Sequence, residues 1–266
     1  MFNNYIGQKK IILELESIVN DIRLNFSGIN ILLRGPAGCG KTYLAKEVLE
    51  SLGKYTYQTP DKSSKYELIW NEKIEGYKFH FIDEIHTLKH IETLYPIMDT
   101  KKFLFIFASN EGGELPEAFI SRCFTYPFSE YSEDELSKIV NEYAKTKQIY
   151  LEKSLADLFA KYSRGSPRIS KNLFDRVMFI IHRGYYKLSI KGIISALNDV
   201  GIYDGGYTDL DMKYLKTLSQ VNSSSLDSMS RLLRIDKNTV INEIEPFLMD
   251  KGHIQITSKG RKFIKW

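Results

Sequence analysis

The run Gly35-Pro36-Ala37-Gly38-Cys39-Gly40-Lys41-Thr42 restricts this chain more than any other feature. It has the form G-x-x-x-x-G-K-[ST]. An apolar stretch, Ile29 to Leu33, precedes it, and a helix-like run, Tyr43 to Ser51, follows it. The glycines let backbone N–H groups curl around phosphates, and the helix N-terminus adds the positive end of its dipole. Lys41 then reaches the β/γ-phosphates, and Thr42 is placed to hold Mg²⁺. The plain alternative is a glycine-rich turn before a helix.

A second motif follows in the order that a P-loop nucleotide site requires. The apolar run Phe79 to Ile82 ends in Asp83-Glu84, a Walker B pattern. Asp83 is expected to orient Mg²⁺ through water. Glu84 is expected to polarise the attacking water, because phosphoryl transfer to water needs a positioned nucleophile more than covalent chemistry. The two motifs together predict ATP as the bound nucleotide, with Mg²⁺ as its companion.

Apolar runs at Ile29–Leu33, Phe79–Ile82 and Phe103–Ala108 read as inner strands, with Tyr55–Tyr57 and Phe124–Phe128 as further strands. Leu68–Trp70 is another candidate. A helical spacing covers Ile6 to Asn25, and a shorter one covers His90 to Met98. Strands alternating with helices predict an α/β core with a parallel sheet. After Ser129 the pattern changes. A capping box at Ser132-Glu133-Asp134-Glu135 opens a helical stretch that runs to about Asn198. Gly201 to Gly206 reads as a linker. Helices at Thr208–Val221, Ser225–Leu233 and Lys237–Asp250 then lead to a hairpin across Gly252–Ile264, the winged-helix order. The expected domains are residues 1–128 (nucleotide-binding α/β), 129–203 (helical lid) and 204–266 (winged helix).

Two side chains, Asn110 and Arg122, have two readings each, and Arg168 has one. Asn110, after the Phe103–Ala108 strand, is either a group that positions the lytic water or a turn residue before Gly112-Gly113. Arg122 is either a finger for a neighbouring subunit's ATP or a surface arginine paired with a carboxylate. Arg168 begins a helix behind Pro167, where it could fold over the nucleotide and couple the lid to ATP state. His86 and His90 are not set in an H-E-x-x-H pattern and are expected as surface or partner contacts.

The net charge is only +4 but is unevenly spread. Between Lys161 and Lys191 only Asp175 opposes a run of basic residues, and from Lys251 onward no acidic residue occurs. Such clusters suit DNA, or are simply solvated faces. Lys259, Arg261 and Lys262 on the wing are the expected DNA contacts, with protein docking as the wing's alternative use. The two cysteines, Cys39 and Cys123, have no spaced Cys/His companions, so neither zinc nor a disulfide framework is expected. The N-terminus has no basic-then-apolar signal, and no run of about eighteen apolar residues occurs. No membrane association is expected, and the expected compartment is the cytosol of a bacterium or of a virus-infected host.

Taken together, the chain resembles the RuvB branch of the AAA+ ATPases over nearly its whole length. The resemblance rests on Tyr5-Ile6-Gly7-Gln8, the P-loop, Phe81-Ile82-Asp83-Glu84-Ile85-His86, Leu94-Tyr95-Pro96-Ile97-Met98 and Gly165-Ser166-Pro167-Arg168-Ile169. In the tail it rests on Asp211-Met212-Lys213-Tyr214-Leu215, Ile244-Glu245-Pro246-Phe247-Leu248, and Gly252-His253-Ile254-Gln255 through Gly260-Arg261. It implies adenine-side contacts from Tyr5 and Ile6. It also implies Walker A and B roles for Lys41, Thr42, Asp83 and Glu84, a sensor 1 role for Asn110, an arginine finger at Arg122 and sensor 2 at Arg168. A homo-oligomeric ring, a hexamer, that moves branched or duplex DNA through its centre is implied as well.

The sequence departs from that family at three points. Only Asp99 to Lys102 lies between Met98 and Phe103, where the family carries a long hairpin that docks on its junction-binding partner. Ser121-Arg122-Cys123 is the finger motif of sliding-clamp loaders, and Ala108-Ser109-Asn110 leans the same way. The chain also begins almost at Tyr5-Ile6-Gly7-Gln8, so one adenine-side contact is expected to be missing. Three functions stay open at this point: a branch-migration motor, a clamp or helicase loader, and an ATP-dependent DNA-binding assembly protein. A junction-binding or replication protein is the partner class.

Overall fold

The computed structural model describes residue 2 and residues 5–25, 27–60, 76–110 and 114–266. The candidate strand Leu68–Trp70 and the Gly112-Gly113 turn lie outside the described residues.

Five parallel strands carry the first half of the chain: β1 (Asn30–Arg34), β2 (Tyr55–Gln58), β3 (Phe79–Ile82), β4 (Leu104–Ser109) and β5 (Phe124–Pro127), in the order β2-β3-β4-β1-β5. β4 is buried at all six positions, as its unbroken apolar run demands. Its Phe105 and Phe107 rings stack at 5.6 Å, and Phe119 meets Phe107 edge-on at 5.0 Å. Each such buried ring contributes about 1.5–3 kcal/mol. The central order places β1, β3 and β4 side by side. Their C-terminal ends release Gly35, Asp83 and Asn110 at one edge of the sheet, where open parallel sheets bind ligands.

His80 on β3 is fully buried, stacked on Phe105 at 5.1 Å, with Nδ1 2.8 Å from Thr56 Oγ1. Burial pushes its imidazole down from 6.5 to about 4. Between those values the unfolded chain takes up a proton that the folded chain refuses. The stability that the neutral ring supplies is therefore complete above pH 6.5 and is lost as pH falls toward 4, by about 3 kcal/mol in all. The thermal midpoint should fall across that window, and His80→Asn should show a shallower fall. Parallel curves for the two proteins would contradict this.

The expected helix over His90–Met98 is split into a 3₁₀ turn, Ile91–Leu94, and a short α-helix, Tyr95–Asp99. Pro96 in the first turn of the second piece explains the break, because it cannot donate to the preceding turn. From Asp99 the chain turns directly into β4, with Thr100 N donating to Ile97 O.

The chain divides into two compact units: Met1–Ile139 with Gly165–Arg168, and Val140–Arg164 with Ile169–Trp266. The second unit contains two separate apolar cores. One gathers Phe159, Phe174, Val177 and Ile193 from the lid helices; the other gathers Tyr214, Leu218, Met229 and Leu248 from the winged helix. The Gly201–Gly206 stretch is not the open linker that its glycines suggest. Ile202–Tyr203 pairs antiparallel with Tyr207–Thr208, and Gly206 is buried against the Tyr162 carbonyl. Arg164 donates through Nε to Gly206 O at 2.8 Å, pairs with the fully buried Asp211, and lies 3.9 Å from the Phe247 ring centroid. Asp211 also closes a capping box with Thr208. A buried ion pair with these supplementary bonds ties the two cores together.

The expected helix over Lys237–Asp250 widens into a π-helical turn at Val240–Ile244, where Glu245 N–H reaches Val240 O. Pro246 lacks the N–H that an α-helix would offer to the Asn242 carbonyl, so the ladder slips by one residue just before it. The wing strands Ile254–Thr257 and Gly260–Phe263 pair as expected, and Ser223–Ser224 adds a third strand that the sequence did not signal. No helix among the described residues is long and apolar enough to cross a membrane.

Candidate functional site: the phosphate loop and its acidic edge

The phosphate loop runs from β1 into the helix Lys41–Leu52. Gly40 caps that helix at φ 93° and Gly38 sits at φ 79°, conformations that side-chain-bearing residues rarely adopt. Space is also short. A Cβ on Gly38 would lie 2.8 Å from both Arg168 Cβ and Ser166 Oγ, so the Gly165–Arg168 turn rests directly on the loop.

Lys41 is buried, and its Nζ donates to Gly35 O and Pro36 O, each at 2.7 Å, and to Asn110 Oδ1 at 3.3 Å. Thr42 Oγ1 donates to Asp83 Oδ2 at 2.8 Å. Asn110 Nδ2 in turn donates to Glu84 Oε2 at 3.1 Å. Glu84 adopts a left-handed backbone, φ 50°, that turns it away from the strand direction. P-loop, Walker B pair and Asn110 thus form one connected cluster, and Asn110 bridges the lysine and the glutamate. The turn reading of Asn110 does not account for that bridge.

Two residues belong to this cluster that the sequence reading did not place there. His86 lies half-buried with Nε2 3.4 Å from Glu84 Oε2 and Nδ1 3.2 Å from Ser109 Oγ. It faces the site rather than the surface, which corrects the expectation for it, whereas His90 is exposed and meets Glu92. The signal was present in Asp83-Glu84-Ile85-His86: after the left-handed Glu84, a 3₁₀ turn brings residue 86 back over the strand end. The second is Tyr131. Its hydroxyl donates to Cys39 O at 2.9 Å and meets Tyr5 OH at 3.0 Å, while Tyr5 OH reaches Gly40 O at 3.4 Å. Burial, together with Tyr131, pushes the Tyr5 hydroxyl above the usual phenol range, so both phenols stay protonated. Ile6 lies beside this pair in sequence, half-buried. Burial also pushes the Cys39 thiol up against the opposing pull of Lys41, so it is not held as a reactive thiolate.

Arg122 is not part of this cluster. It precedes β5 at the opposite edge of the sheet, where Asn30 Nδ2, at the start of β1, donates to Arg122 O at 3.1 Å. Asn30 and Gly35 are separated by the length of β1, roughly 13–16 Å at about 3.3 Å per residue. A cleft of about 500 Å³ opens beside Arg122, lined also by Asn30, Lys101 and Phe124. Of the wing residues, Lys259 and Lys262 are exposed, but Arg261 is not a free surface cation. Its Nε and Nη2 bind the buried Glu245 carboxylate at 2.7 and 3.1 Å, and Tyr214 OH donates to the same carboxylate at 2.9 Å.

A parallel five-stranded sheet with this loop, acidic pair and bridging asparagine, followed by a helical lid and a winged helix, defines an AAA+ P-loop ATPase. Three family models match in order along the chain: the Holliday junction DNA helicase RuvB P-loop domain over residues 1–115, the RuvB AAA lid domain over 131–200, and the RuvB C-terminal winged helix domain over 204–265. The Holliday junction branch migration complex subunit RuvB of Campylobacter hominis is 30% identical, over 98% of this chain and 85% of its own length. The RuvB of Mycoplasma genitalium is 28% identical, over 98% of this chain and 92% of its own. The structure of the Thermotoga maritima RuvB branch migration motor superposes with a TM-score of 0.85 at 23% identity, over 99% of this chain and 94% of that one. The chain belongs to the RuvB family.

Proposed function

We propose that this protein is a ring-forming, ATP-hydrolysing motor that drives branch migration of four-way DNA junctions. The observation that carries the proposal is the Lys41–Asn110–Glu84 bridge beside Thr42–Asp83, on a chain matched to RuvB models in all three parts. ATP enters with its phosphates over the P-loop. Lys41 exchanges the Gly35 and Pro36 carbonyls for phosphate oxygens, and Tyr5 and Ile6 border the adenine. Thr42 and Asp83 are oxygen donors of the kind Mg²⁺ prefers and would hold it, where it would neutralise phosphate charge. Glu84 polarises the lytic water, and Asn110 fixes the carboxylate that does so. Arg168, on the turn that rests on Gly38, reads the nucleotide and passes its state to the lid.

Arg122 acts on a neighbouring subunit's ATP. The length of β1 separates it from its own P-loop, so a contact in cis is out of reach. This makes turnover depend on assembly and supports a ring, with the hexamer of the family as its form, in the cytosol. The short Asp99–Lys102 turn leaves no hairpin for a RuvA-type partner, so junction targeting falls to the winged helix or to a different partner. Ser121-Arg122-Cys123 keeps a loader as the second reading.

Lys259 and Lys262 contact the DNA backbone. Replacing both with Ala should lower the salt slope of DNA binding by about 2 while leaving the melting curve unchanged. Arg261→Ala should instead destabilise the winged helix by about 3 kcal/mol, because Glu245 is left buried without its cation. An unchanged salt slope in the double lysine variant would remove the wing from the DNA interface. The function itself is tested with a synthetic mobile four-way junction, which should be resolved to duplexes only when ATP is present. A protein that hydrolyses ATP on DNA yet leaves the junction intact is not a branch-migration motor.

A further inference from the structure

Tyr95 and Asp99 stand four residues apart on the helix Tyr95–Asp99, so both side chains project from one face. That face meets the Arg122 guanidinium. Asp99 accepts from Arg122 Nε at 3.0 Å through Oδ1 and at 3.3 Å through Oδ2, and from Nη2 at 3.3 Å through Oδ2. The Tyr95 ring lies 4.5 Å beneath the guanidinium carbon. Nη1 donates to Ala118 O at 2.7 Å, one turn back along Arg122's own segment. Next to Arg122, Cys123 packs into the apolar cluster around Phe107 and Phe119, where burial pushes its thiol up to about 12. The finger is therefore fixed at its base, along one edge and across one face.

A guanidinium has five N–H donors in a rigid fork. The Asp99 and Ala118 bonds use three, which leaves one N–H on each terminal nitrogen without a protein acceptor among the described residues. Those two donors can grip a pair of phosphate oxygens while Asp99 and Tyr95 keep the plane of the fork constant. A side chain as long as arginine loses rotamer freedom when it is held, and that cost is already met before a neighbouring ATP arrives.

We infer that Asp99 and Tyr95 are positioning residues that preorganise Arg122 for the γ-phosphate bound by the adjacent subunit. This rests on the reading of Arg122 as a finger in trans. A guanidinium that meets the phosphate only as charge develops raises kcat without tightening ATP binding.

The test uses the full-length assembled protein with saturating duplex DNA, and compares Asp99→Asn, Asp99→Glu, Arg122→Ala and Asp99→Asn/Arg122→Ala. Asp99→Asn should lower kcat about tenfold with KM for ATP unchanged within about twofold, and Asp99→Glu should recover most of the loss. In the Arg122→Ala background, measured by single turnover with enzyme in excess, Asp99→Asn should have no further effect. A crippled Arg122→Ala beside an Asp99→Asn variant of parental kcat would overturn the positioning role and leave the finger standing. An equal loss from Asp99→Asn with and without Arg122 would show that Asp99 is merely structural. An Arg122→Ala protein that turns over normally would remove the finger itself, and the positioning role with it.

Discussion

Glu84→Gln should bind ATP as tightly as the parent chain and turn it over at least about 100-fold more slowly. The amide is isosteric and still accepts from Asn110 Nδ2, so the cluster of Lys41, Asn110 and residue 84 should keep its shape. What is lost is the negative charge that, in the proposed role, polarises water at the γ-phosphate. Lys41, Thr42 and Asp83 are untouched, so nucleotide affinity should not move. A fluorescent ATP analogue measures the affinity and phosphate release measures the turnover. Normal turnover in this variant would overturn the Walker B assignment, and weakened binding would mean that Glu84 supports the loop rather than the chemistry.

Arg122→Ala should abolish turnover to a similar or greater depth, about 10³-fold or more, with ATP affinity intact. The decisive feature is complementation. Arg122→Ala subunits keep Glu84, and Glu84→Gln subunits keep Arg122. Mixed together, a ring contains some sites with Glu84 from one subunit and a finger from the next, so turnover should rise from near zero to a maximum at intermediate ratios. Arg122 lies at the far end of β1 from its own P-loop, and its backbone carbonyl is held there by Asn30. Turnover that stays near zero at every mixing ratio would contradict action in trans.

Why some of this was legible in the sequence follows from where the chemistry lies. The P-loop carries its glycines, Lys41 and Thr42 in consecutive residues, so one local motif holds most of the proposed phosphate site. Asp83-Glu84 was legible because β3, apolar except for His80, leads straight to it. The capping box at Ser132 was equally local, a reciprocal pair of hydrogen bonds across three residues. Residues whose roles come from folding were not legible. Tyr131 reaches Cys39 across a sequence separation of 92 residues, and nothing in the chain near Ser132 announces that bond. Arg261 was read as a DNA contact because its positive charge is visible in the sequence, whereas its carboxylate, Glu245, becomes its partner only when the helix with the π-turn and the wing strand come together. Gly201–Gly206 shows the same limit: glycines signal freedom, but the pairing of Ile202–Tyr203 with Tyr207–Thr208 and the Arg164–Asp211 bond remove it. The departures from the family were legible as length and local motif alone. At the first of them, Asp99, the last residue before the short turn, accepts hydrogen bonds from Arg122.

The most direct test of the central claim is ATP turnover by the purified protein with no DNA, with linear duplex, with primer–template and with a four-way junction. Stimulation by duplex and junction DNA is the result predicted for a translocating RuvB-family motor. Little response to either, or a response confined to primer–template, would contradict it and favour the loader reading.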